Sequence, residues 1–461
     1  MRGGRPLYNG RMTVHVIEAL RAELGDRVST DPAVLAEFAR DKSRFQPTGE
    51  PLGLVRARDT ADVSRALAWA HAHRVPVSVR GAGTGLAGGA AAYDGGLILS
   101  LAEMNRILAV DPADRLATVQ PGVVTADLDR VAREHGLFFP PDPASARMST
   151  VGGNIATNAG GLRCIAHGVT RDAVAALEVV LADGTVLRTG ARTRKNVVGL
   201  DLTSLFVGSE GTLGVITEAT LRLKPIPIGA TRTFRADFDS IGSAGAAVTE
   251  IVGSDVPVEV LELLDAESVR HIERFQPMGL HVPKAAVLIG QCVGAGASEA
   301  ARRVVEICER HGAASATDLA DASLLEARRV ANPALRAAGL RVSCDVGVPV
   351  SRLAEMFAGI DEVAARHGRR VSVVAHAGDG NLHPTVEAED TPEGYEAAAV
   401  VLDDITALAL SFGGTISGEH GIGATKRHEL PWQLDAGALR VNEAIKRALD
   451  PHGVLTPGRA I

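Results

Sequence analysis

The spacing of apolar residues divides the chain into two parts that differ in their pattern of predicted strands, helices and loops. As far as Pro227, short apolar runs alternate with glycine- and proline-rich loops. Apolar residues recur every three or four positions behind the candidate cap Thr60, which predicts a helix over 60–73, and a second helix is predicted over 125–135. Short strands are predicted over 76–79, 97–101, 107–110 and 116–119, with a hairpin over 175–189.

After Pro227, strand-like and helical runs alternate regularly. The strand-like runs are 232–238, 258–264, 286–292, 342–348 and 371–375. The helical runs are 240–251, 298–311, 322–330, 351–367 and 393–411. This alternation predicts an α+β layer of ferredoxin-like type, with two βαβ-like halves over one sheet. An amphipathic helix over 439–449 is expected to return to the first part of the chain.

A glycine-rich loop follows the strand predicted over 76–79. It has five glycines in the nine residues 81–89, so its backbone N–H groups can approach a phosphate closely. Gly83, Gly85 and Gly88 match the dinucleotide fingerprint G-x-G-x-x-G, but that motif must open a helix. Here the residues 90–96 contain two more glycines and lead into a strand. We therefore expect a phosphate cradle rather than an NAD-binding Rossmann unit; the alternative is a surface loop without a ligand.

Two further segments have compositions suited to a large ligand. The segment 138–145 has too many prolines for a helix or a central strand, and we expect a rigid loop there. The segment 150–161 is rich in glycine and amides, and Asn154, Thr157 and Asn158 are able to bond a polar ring edge or a pyrophosphate.

The segment His376–His383 is the strongest candidate for chemistry. Asp379-Gly380 predicts a two-residue hairpin turn, which would place His376 directly opposite His383 with Cβ atoms roughly 5 Å apart. That spacing suits two imidazoles sharing one divalent metal, although two polar residues beside a turn is the simpler alternative. A second polar loop contains Glu419 and His420 between glycines, which offers a carboxylate ligand and a free imidazole.

Composition narrows the class of protein. The 461 residues suffice for about two to three domains, and 46% apolar with 22% charged residues is an ordinary globular balance. The net charge of −7 and the lack of a long basic run argue against nucleic acid and anionic membrane surfaces as partners. No window holds about 18 continuous apolar residues, so no transmembrane segment is expected. The N-terminus lacks the apolar segment of a secretory signal, and either Met1 or Met12 is its start.

The four cysteines, Cys164, Cys292, Cys308 and Cys344, are scattered and form no Cys-x-x-Cys pair. This argues against a disulfide framework, a structural zinc site and an iron–sulfur cluster, and favours a reducing cytoplasm. The electrons of any redox reaction must therefore leave to an external acceptor.

Seven motifs occur in order along the chain, at 76–89, 140–145, 152–154, 158–161, 208–214, 376–383 and 418–421. Together they resemble the vanillyl-alcohol-oxidase or PCMH-type FAD-linked oxidases. More narrowly, they are similar to the group of D-lactate dehydrogenase, the glycolate oxidase FAD-linked subunit and D-2-hydroxyglutarate dehydrogenase. The resemblance implies an N-terminal extension with the first helix (1–34), a PCMH-type FAD-binding domain (35–227), a ferredoxin-like substrate or cap domain (228–415) and a C-terminal segment with the Glu-His loop and a helix (416–461).

The resemblance also implies bound FAD. The implied FAD-binding residues are Arg80, Gly81, Ala82, Gly83, Thr84, Gly85, Pro141, Gly153, Asn154, Thr157, Ala159, Glu210 and Ile216. Relatives that attach the flavin covalently commonly use a histidine in or beside the phosphate loop. Residues 80–89 contain none, so we expect noncovalent FAD.

The resemblance places the metal ligands at His376, His383 and Glu419 and the catalytic base at His420. A 2-hydroxy acid can chelate a divalent ion through its hydroxyl and carboxylate, which lowers the hydroxyl pKa. An imidazole is suited to take that proton at neutral pH, although a loop histidine can also simply bond backbone. Two histidines and one carboxylate favour zinc, with manganese or iron as alternatives.

The substrate carboxylate needs a cation, and the resemblance implies Arg328 or its neighbour Arg329. Asn332 and Ser343 stand where 2-hydroxyglutarate dehydrogenases have a threonine and a lysine for the second carboxylate. The missing cation favours a small monocarboxylate, D-lactate or glycolate, over 2-hydroxyglutarate.

The acceptor stays open between a quinone, a cytochrome, an electron-transferring flavoprotein and an iron–sulfur subunit. We expect a cytoplasmic protein, with peripheral attachment at the inner face of the membrane and a homodimer left open. Two further alternatives are an FAD-binding subunit of a glycolate oxidase complex and a metal-binding protein without redox chemistry.

Overall fold

The structure is a computed structural model that describes residues 10–47, 49–319 and 324–461. The first nine residues of the predicted extension, and the first two of the helix predicted over 322–330, lie outside these ranges. The strands of the first part are β1 (Val28–Ser29), β2 (Gly53–Arg56), β3 (Val77–Arg80), β4 (Leu97–Ser100), β5 (Ile107–Asp111), β6 (Leu116–Val119), β7 (Leu137–Phe138), β8 (Val174–Val180), β9 (Val186–Gly190), β10 (Val215–Arg222) and β11 (Lys224–Pro225). Its helices are α1 (Gly10–Leu24), α2 (Pro32–Phe38), α3 (Thr60–His73), α4 (Thr125–Glu134), α5 (Val151–Thr157), α6 (Cys164–His167), α7 (Thr170–Ala173) and α8 (Leu202–Phe206).

Two sheets build this first part. Strands β1-β2-β4-β3 form a mixed sheet in which β4 runs parallel to both neighbours, and β5-β6-β10-β8-β9 form an antiparallel sheet. Helix α3 has the predicted bounds and buries its predicted apolar face in a cluster that contains residues of both sheets. Its cap is Asp59 rather than Thr60, because the Asp59 carboxylate accepts the Asp62 N–H at 2.9 Å. Strand β3 belongs to the same packed cluster as α3, so the glycine loop that follows it begins at a fixed position.

The second part contains one large sheet. Its strands are β12 (Ala230–Phe238), β13 (Val260–Asp265), β14 (Ala286–Gly294), β15 (Ala313–Leu319), β16 (Leu340–Ser343), β17 (Val346–Gly347), β18 (Val371–His376) and β19 (Asn381–Glu387). Its helices, with those that follow it, are α9 (Ile241–Gly253), α10 (Ala266–Phe275), α11 (Ala297–Arg310), α12 (Leu324–Ala337), α13 (Leu353–His367), α14 (Pro392–Ser411), α15 (Leu430–Gln433) and α16 (Ala436–Leu449).

The large sheet has the order β15-β12-β14-β13-β18-β19-β16, with β17 also on β19, and all of its pairs are antiparallel. Strands β12 to β15 with α9 and α11 form a β-α-β-β-α-β unit, and β17 to β19 with α13 and α14 repeat much of it, which confirms the ferredoxin-like α+β prediction. Helices α9, α11, α13 and α14 cover one face, and α10 and α12 cover the other. The single strand predicted over 342–348 is split at Cys344-Asp345.

The C-terminal helix returns to the first part, as predicted. Ile445 and Leu449 of α16 pack on the core of the antiparallel sheet. The Lys446 ammonium donates to the carbonyl of Thr212 at 2.8 Å and to that of Leu455 at 2.7 Å. The sequence-based domain bounds stay predictions. Within the described ranges, no helix has the length and apolarity needed to cross a membrane.

The histidine hairpin differs from its predicted register by two residues. His376 pairs with Asn381 and His383 pairs with Val374, so the turn has four residues rather than two. A third segment causes this difference, because β17 pairs with the start of β19 and the Val348 N–H bonds the carbonyl of Gly380 at 2.9 Å. A two-residue shift keeps every side chain on its face, so the two histidines remain diagonal neighbours.

Candidate active site

A deep cleft separates the glycine loop from the histidine hairpin, with an empty volume of ≈ 1430 Å³ that includes space open to solvent. Most of the residues predicted for the site line this one cleft. They are Gly81, Ala82, Gly83, Thr84, Gly85, Gly153, Asn154, Thr157, Ala159, Glu210, Arg328, Asn332, His376, His383, Glu419 and His420. Residues from six separate stretches of the sequence therefore meet at one place.

Four predicted residues do not line the cleft. The Arg80 guanidinium turns back to donate to the Arg40 carbonyl at 2.6 Å. Pro141 is buried, and residues 143–145 of the same loop line the cleft instead. Ile216 packs in the core of the antiparallel sheet, and Ser343 is exposed on β16.

Two glycines of the glycine loop lie so close to neighbouring side chains that a Cβ there would clash. A Cβ at Gly81 would lie 2.4 Å from Thr150 Oγ1, and a Cβ at Gly83, where φ is +67°, would lie 2.2 Å from the Arg80 guanidinium. The glycine- and amide-rich segment 150–161 contains the short helix α5, which Thr150 caps by accepting the Gly153 N–H at 3.3 Å. Bare N–H groups and a helix start thus face a concave surface, which fits a pyrophosphate.

Three side chains of types that bind metals converge on the cleft wall opposite the glycine loop. One ligand atom from each of His376, His383 and Glu419 lies within 4.8 Å of the other two. His383 Nε2 is 3.2 Å from Glu419 Oε1, but it is buried and forms no hydrogen bond with any described residue. Burial lowers the pKa of His383 to about 4, so its ring is neutral. A neutral imidazole nitrogen facing a carboxylate oxygen without a bond fits an intervening cation.

Glu262, a residue that sequence reasoning missed, orients two of the predicted ones. It is fully buried on β13 and accepts from Arg328 Nε at 2.8 Å and from His376 Nδ1 at 2.8 Å. This bond turns His376 Nε2 towards Glu419, as outer-shell carboxylates do for metal-binding histidines. Burial disfavours the charged His376 ring, but Glu262 and Glu419 outweigh it and raise the pKa to about 10. The available sequence signal was that Glu259 and Glu262 interrupt the apolar run 258–264.

Asp345, also missed, supports the loop that carries His420. Its Oδ2 accepts the backbone N–H groups of Gly418 at 2.7 Å, Glu419 at 2.6 Å and His420 at 3.1 Å. Burial opposes its charge, but Lys426 and His420 outweigh that effect and lower the pKa of Asp345 below its usual value. The Asp345 carboxylate lies 3.5 Å from His420 Nδ1, while His420 Nε2 lies 3.7 Å from Glu419 Oε1. One ring nitrogen of His420 is therefore beside a buried anion and the other is beside the candidate metal ligands.

The same loop is tied to the first part of the chain by Glu210. Its carboxylate accepts the backbone N–H of Ile422 at 2.8 Å and of Gly423 at 2.9 Å. Burial raises the pKa of Glu210, which its backbone donors partly offset. Glu210 was predicted to bind the cofactor; in the structure its hydrogen bonds position the His420 loop at the cleft wall.

The structure distinguishes the two candidate arginines. Arg328 is 6% exposed and reaches the cleft, with Nη2 3.4 Å from His376 Nε2. Arg329 is exposed and pairs with Glu326 on its own helix. Helix α12 therefore directs one guanidinium into the cleft and the next into solvent.

Family models match most of the chain. One described as "FAD linked oxidases, C-terminal domain" matches residues 229–460, and one described as "FAD binding domain" matches residues 51–190. The glycolate oxidase subunit GlcD of Bacillus subtilis is 41% identical over 89% of this chain and 88% of that protein. A D-lactate dehydrogenase of Anaerostipes hadrus is 35% identical over 98% of each chain.

The fold is similar to that of p-cresol methylhydroxylase with substrate bound, with a TM-score of 0.81, 98% of this chain and 97% of that chain covered, and 19% sequence identity. This likeness confirms the predicted PCMH-type architecture. The matched FAD-binding domain and the sequence relatives confirm that the chain is a flavoprotein. The chain belongs to the family of FAD-linked oxidases, and it is an FAD-dependent oxidoreductase of hydroxy acids.

Proposed function

We propose that the chain oxidises a small D-2-hydroxy acid, D-lactate or glycolate, to the 2-oxo acid with the help of a divalent metal. The observation that carries this proposal is the convergence of three metal-ligand side chains, a free imidazole and a buried arginine on one wall of the FAD cleft. His376, His383 and Glu419 would hold the metal, His420 would act as base and Arg328 would bind the carboxylate.

The cofactor, the metal and His420 would each have a separate part in the reaction. The glycine loop and α5 would hold FAD, which would supply the acceptor for the hydride of the substrate α-carbon. A divalent cation, zinc in first place with manganese or iron as alternatives, would supply the Lewis acidity that makes the substrate hydroxyl more acidic. His420 would take the hydroxyl proton at Nε2, while the Asp345 carboxylate near Nδ1 stabilises the resulting positive charge.

Arg328 would orient the substrate. Its Nε is committed to Glu262, which leaves the outer guanidinium N–H groups for the substrate carboxylate. Among the lining residues that the structure describes, Arg328 is the one lysine or arginine. Asn332 lines the cleft as a neutral side chain, and Ser343 lies outside it. A second substrate carboxylate would meet no such cation there, which supports a monocarboxylate over 2-hydroxyglutarate.

Anaerobic titration of the FAD-bound protein tests the proposed substrate class. D-Lactate or glycolate is expected to bleach the visible flavin spectrum, and L-lactate is not. If D-2-hydroxyglutarate reduces the flavin much more efficiently than both monocarboxylates, the assignment from Asn332 and Ser343 is wrong. Failure of all four acids would reject the proposed substrate class.

Arg328→Lys is expected to lower kcat/KM for D-lactate by about 10²-fold, because an ammonium cannot reproduce a bidentate guanidinium contact. Arg329→Lys is the matched control, since Arg329 is exposed on the next position of α12. Steady-state kinetics with an artificial dye measure both variants. Equal kcat/KM values for the two would remove Arg328 from substrate binding.

A second candidate function is that of an FAD-binding subunit with little activity alone, which the relative named glycolate oxidase subunit GlcD favours. An external acceptor is needed in either case, because the four cysteines are free and scattered over the described chain. The acceptors proposed are a quinone, a cytochrome, an electron-transferring flavoprotein or an iron–sulfur subunit. Dye-linked turnover by the isolated chain would argue against the subunit function.

A further inference from the structure

A second cluster of metal-ligand side chains lies farther along the segment that carries Glu419 and His420. It joins Asp403 on α14 to His428 and Glu429, and one ligand atom from each residue lies within 4.8 Å of the others. His428 Nε2 is 3.3 Å from Asp403 Oδ1 and 4.0 Å from Glu429 Oε1. The cluster shares no residue with the candidate metal ligands of the cleft.

Glu429 is the unusual member, because it is buried without a hydrogen bond. It is 4% exposed, and its Oε2 is enclosed with no hydrogen-bond partner among the residues that the structure describes. Lys426 is nearby, but its ammonium already donates to the carbonyl and the carboxylate of Asp345 and to the carbonyl of Ile416. An ammonium has three donors, so Lys426 has none left for Glu429. A buried carboxylate oxygen in this position is costly unless a cation or a proton meets it, and the two neighbouring ligand side chains favour a cation.

The other two members, Asp403 and His428, expose the cluster to solvent and add a second carboxylate and an imidazole. The ring of Trp432 meets the His428 imidazole edge-on, with centroids 5.6 Å apart and planes at 86°, which restricts the orientation of the imidazole. The side chains of Asp403 and His428 are 38% and 53% exposed, so an ion can enter from solvent and reach the buried Glu429. Two carboxylates and one imidazole form a ligand set that suits zinc or manganese.

We propose that Asp403, His428 and Glu429 form a second divalent-cation site, separate from the one proposed in the cleft. A cation bound there would connect the segment after His420 to α14. Lys426 and Asp345 lie between this site and the His420 loop, and Asp345 accepts three backbone N–H groups of that loop. The second cation would therefore stabilise the position of the loop without contacting substrate.

Zinc binding to the FAD-bound protein, after removal of metals by a chelator, tests the proposal. Metal content after dialysis and calorimetric titration with Zn²⁺ are expected to give one zinc per chain fewer for Asp403→Asn than for the unaltered protein. Asp403→Asn should also reduce the increase in Tm that added zinc produces. Asp404→Asn is the control, because Asp404 is the next residue of α14 and pairs with His367 and Arg366 instead. It is expected to bind as much zinc as the unaltered protein.

A His383→Ala background separates the second site from the cleft. In that background one zinc should remain, and adding Glu429→Gln or Asp403→Asn should remove it. The proposal is overturned if Asp403→Asn and Asp404→Asn bind equal amounts of zinc, or if the His383→Ala protein binds none. These readouts do not depend on turnover, so failure of the second site and failure of the proposed function are distinguishable.

Discussion

His420→Ala is expected to slow reduction of bound FAD by D-lactate by about 10³-fold, because a positioned general base typically contributes 10²–10⁴-fold. His420 is placed for that role by its own loop, since its Nδ1 lies 3.5 Å from the buried Asp345 carboxylate and its Nε2 lies beside Glu419. Bound FAD should remain, because the glycine loop and α5 are untouched by the change. Anaerobic stopped-flow spectroscopy in the visible absorption band of the flavin gives the rate directly.

The control for this variant is His135→Ala. His135 is exposed at the end of α4 and does not line the cleft, so its loss should leave the rate of flavin reduction unchanged. A His420→Ala protein that keeps its FAD and reduces it at the original rate would exclude His420 as the base.

His383→Ala is expected to release the proposed metal and to lower turnover by at least about 10²-fold, since the Lewis acid would be lost with its ligand. His383 is a cleaner target than His376, which also bonds Glu262 and approaches Arg328. Removing His376 would take one partner away from the buried Glu262 carboxylate, which is expected to destabilise the fold. Metal content by mass spectrometry and dye-linked turnover measure the two effects together.

A chelator provides the matched comparison for this second variant. Chelation of the unaltered protein should reproduce the loss of turnover, and added zinc or manganese should restore it. The same additions should not restore His383→Ala. Full turnover in a metal-free preparation would show that the three residues serve another purpose, and the metal would have to be removed from the mechanism.

The glycine loop shows how sequence and structure complement each other. The missing crossover helix after Gly88 was sufficient to reject a Rossmann unit, because helix periodicity is a local property of the sequence. The contacts of the loop were not local. Gly81 approaches Thr150, which caps helix α5 in a glycine-rich segment for which no helix was predicted. Tertiary packing and a capping bond outweighed the weak helix propensity of the segment.

For the histidine hairpin, the sequence predicted the face of the histidines correctly but not the length of the turn. Alternating residues placed both histidines on one face, and that face was correct because the shift in register was even. The turn length was wrong because β17, which pairs with β19, comes from a segment about 30 residues earlier. Turn residues alone do not report which third strand will compete for the end of a hairpin.

The sequence by itself determined the α+β class, the face of α3 and the return of the last helix, because periodicity is written along the chain. Most of the residues that line the cleft were implied by the motifs that resemble the FAD-linked oxidases. Only the tertiary structure decided which of Arg328 and Arg329 enters the cleft, that Glu262 orients His376, and that Asp345 holds the His420 loop. These three outcomes depend on side chains far apart in the chain meeting in a buried place. A single buried carboxylate must find its partners there, and only the packed molecule shows which ones it finds.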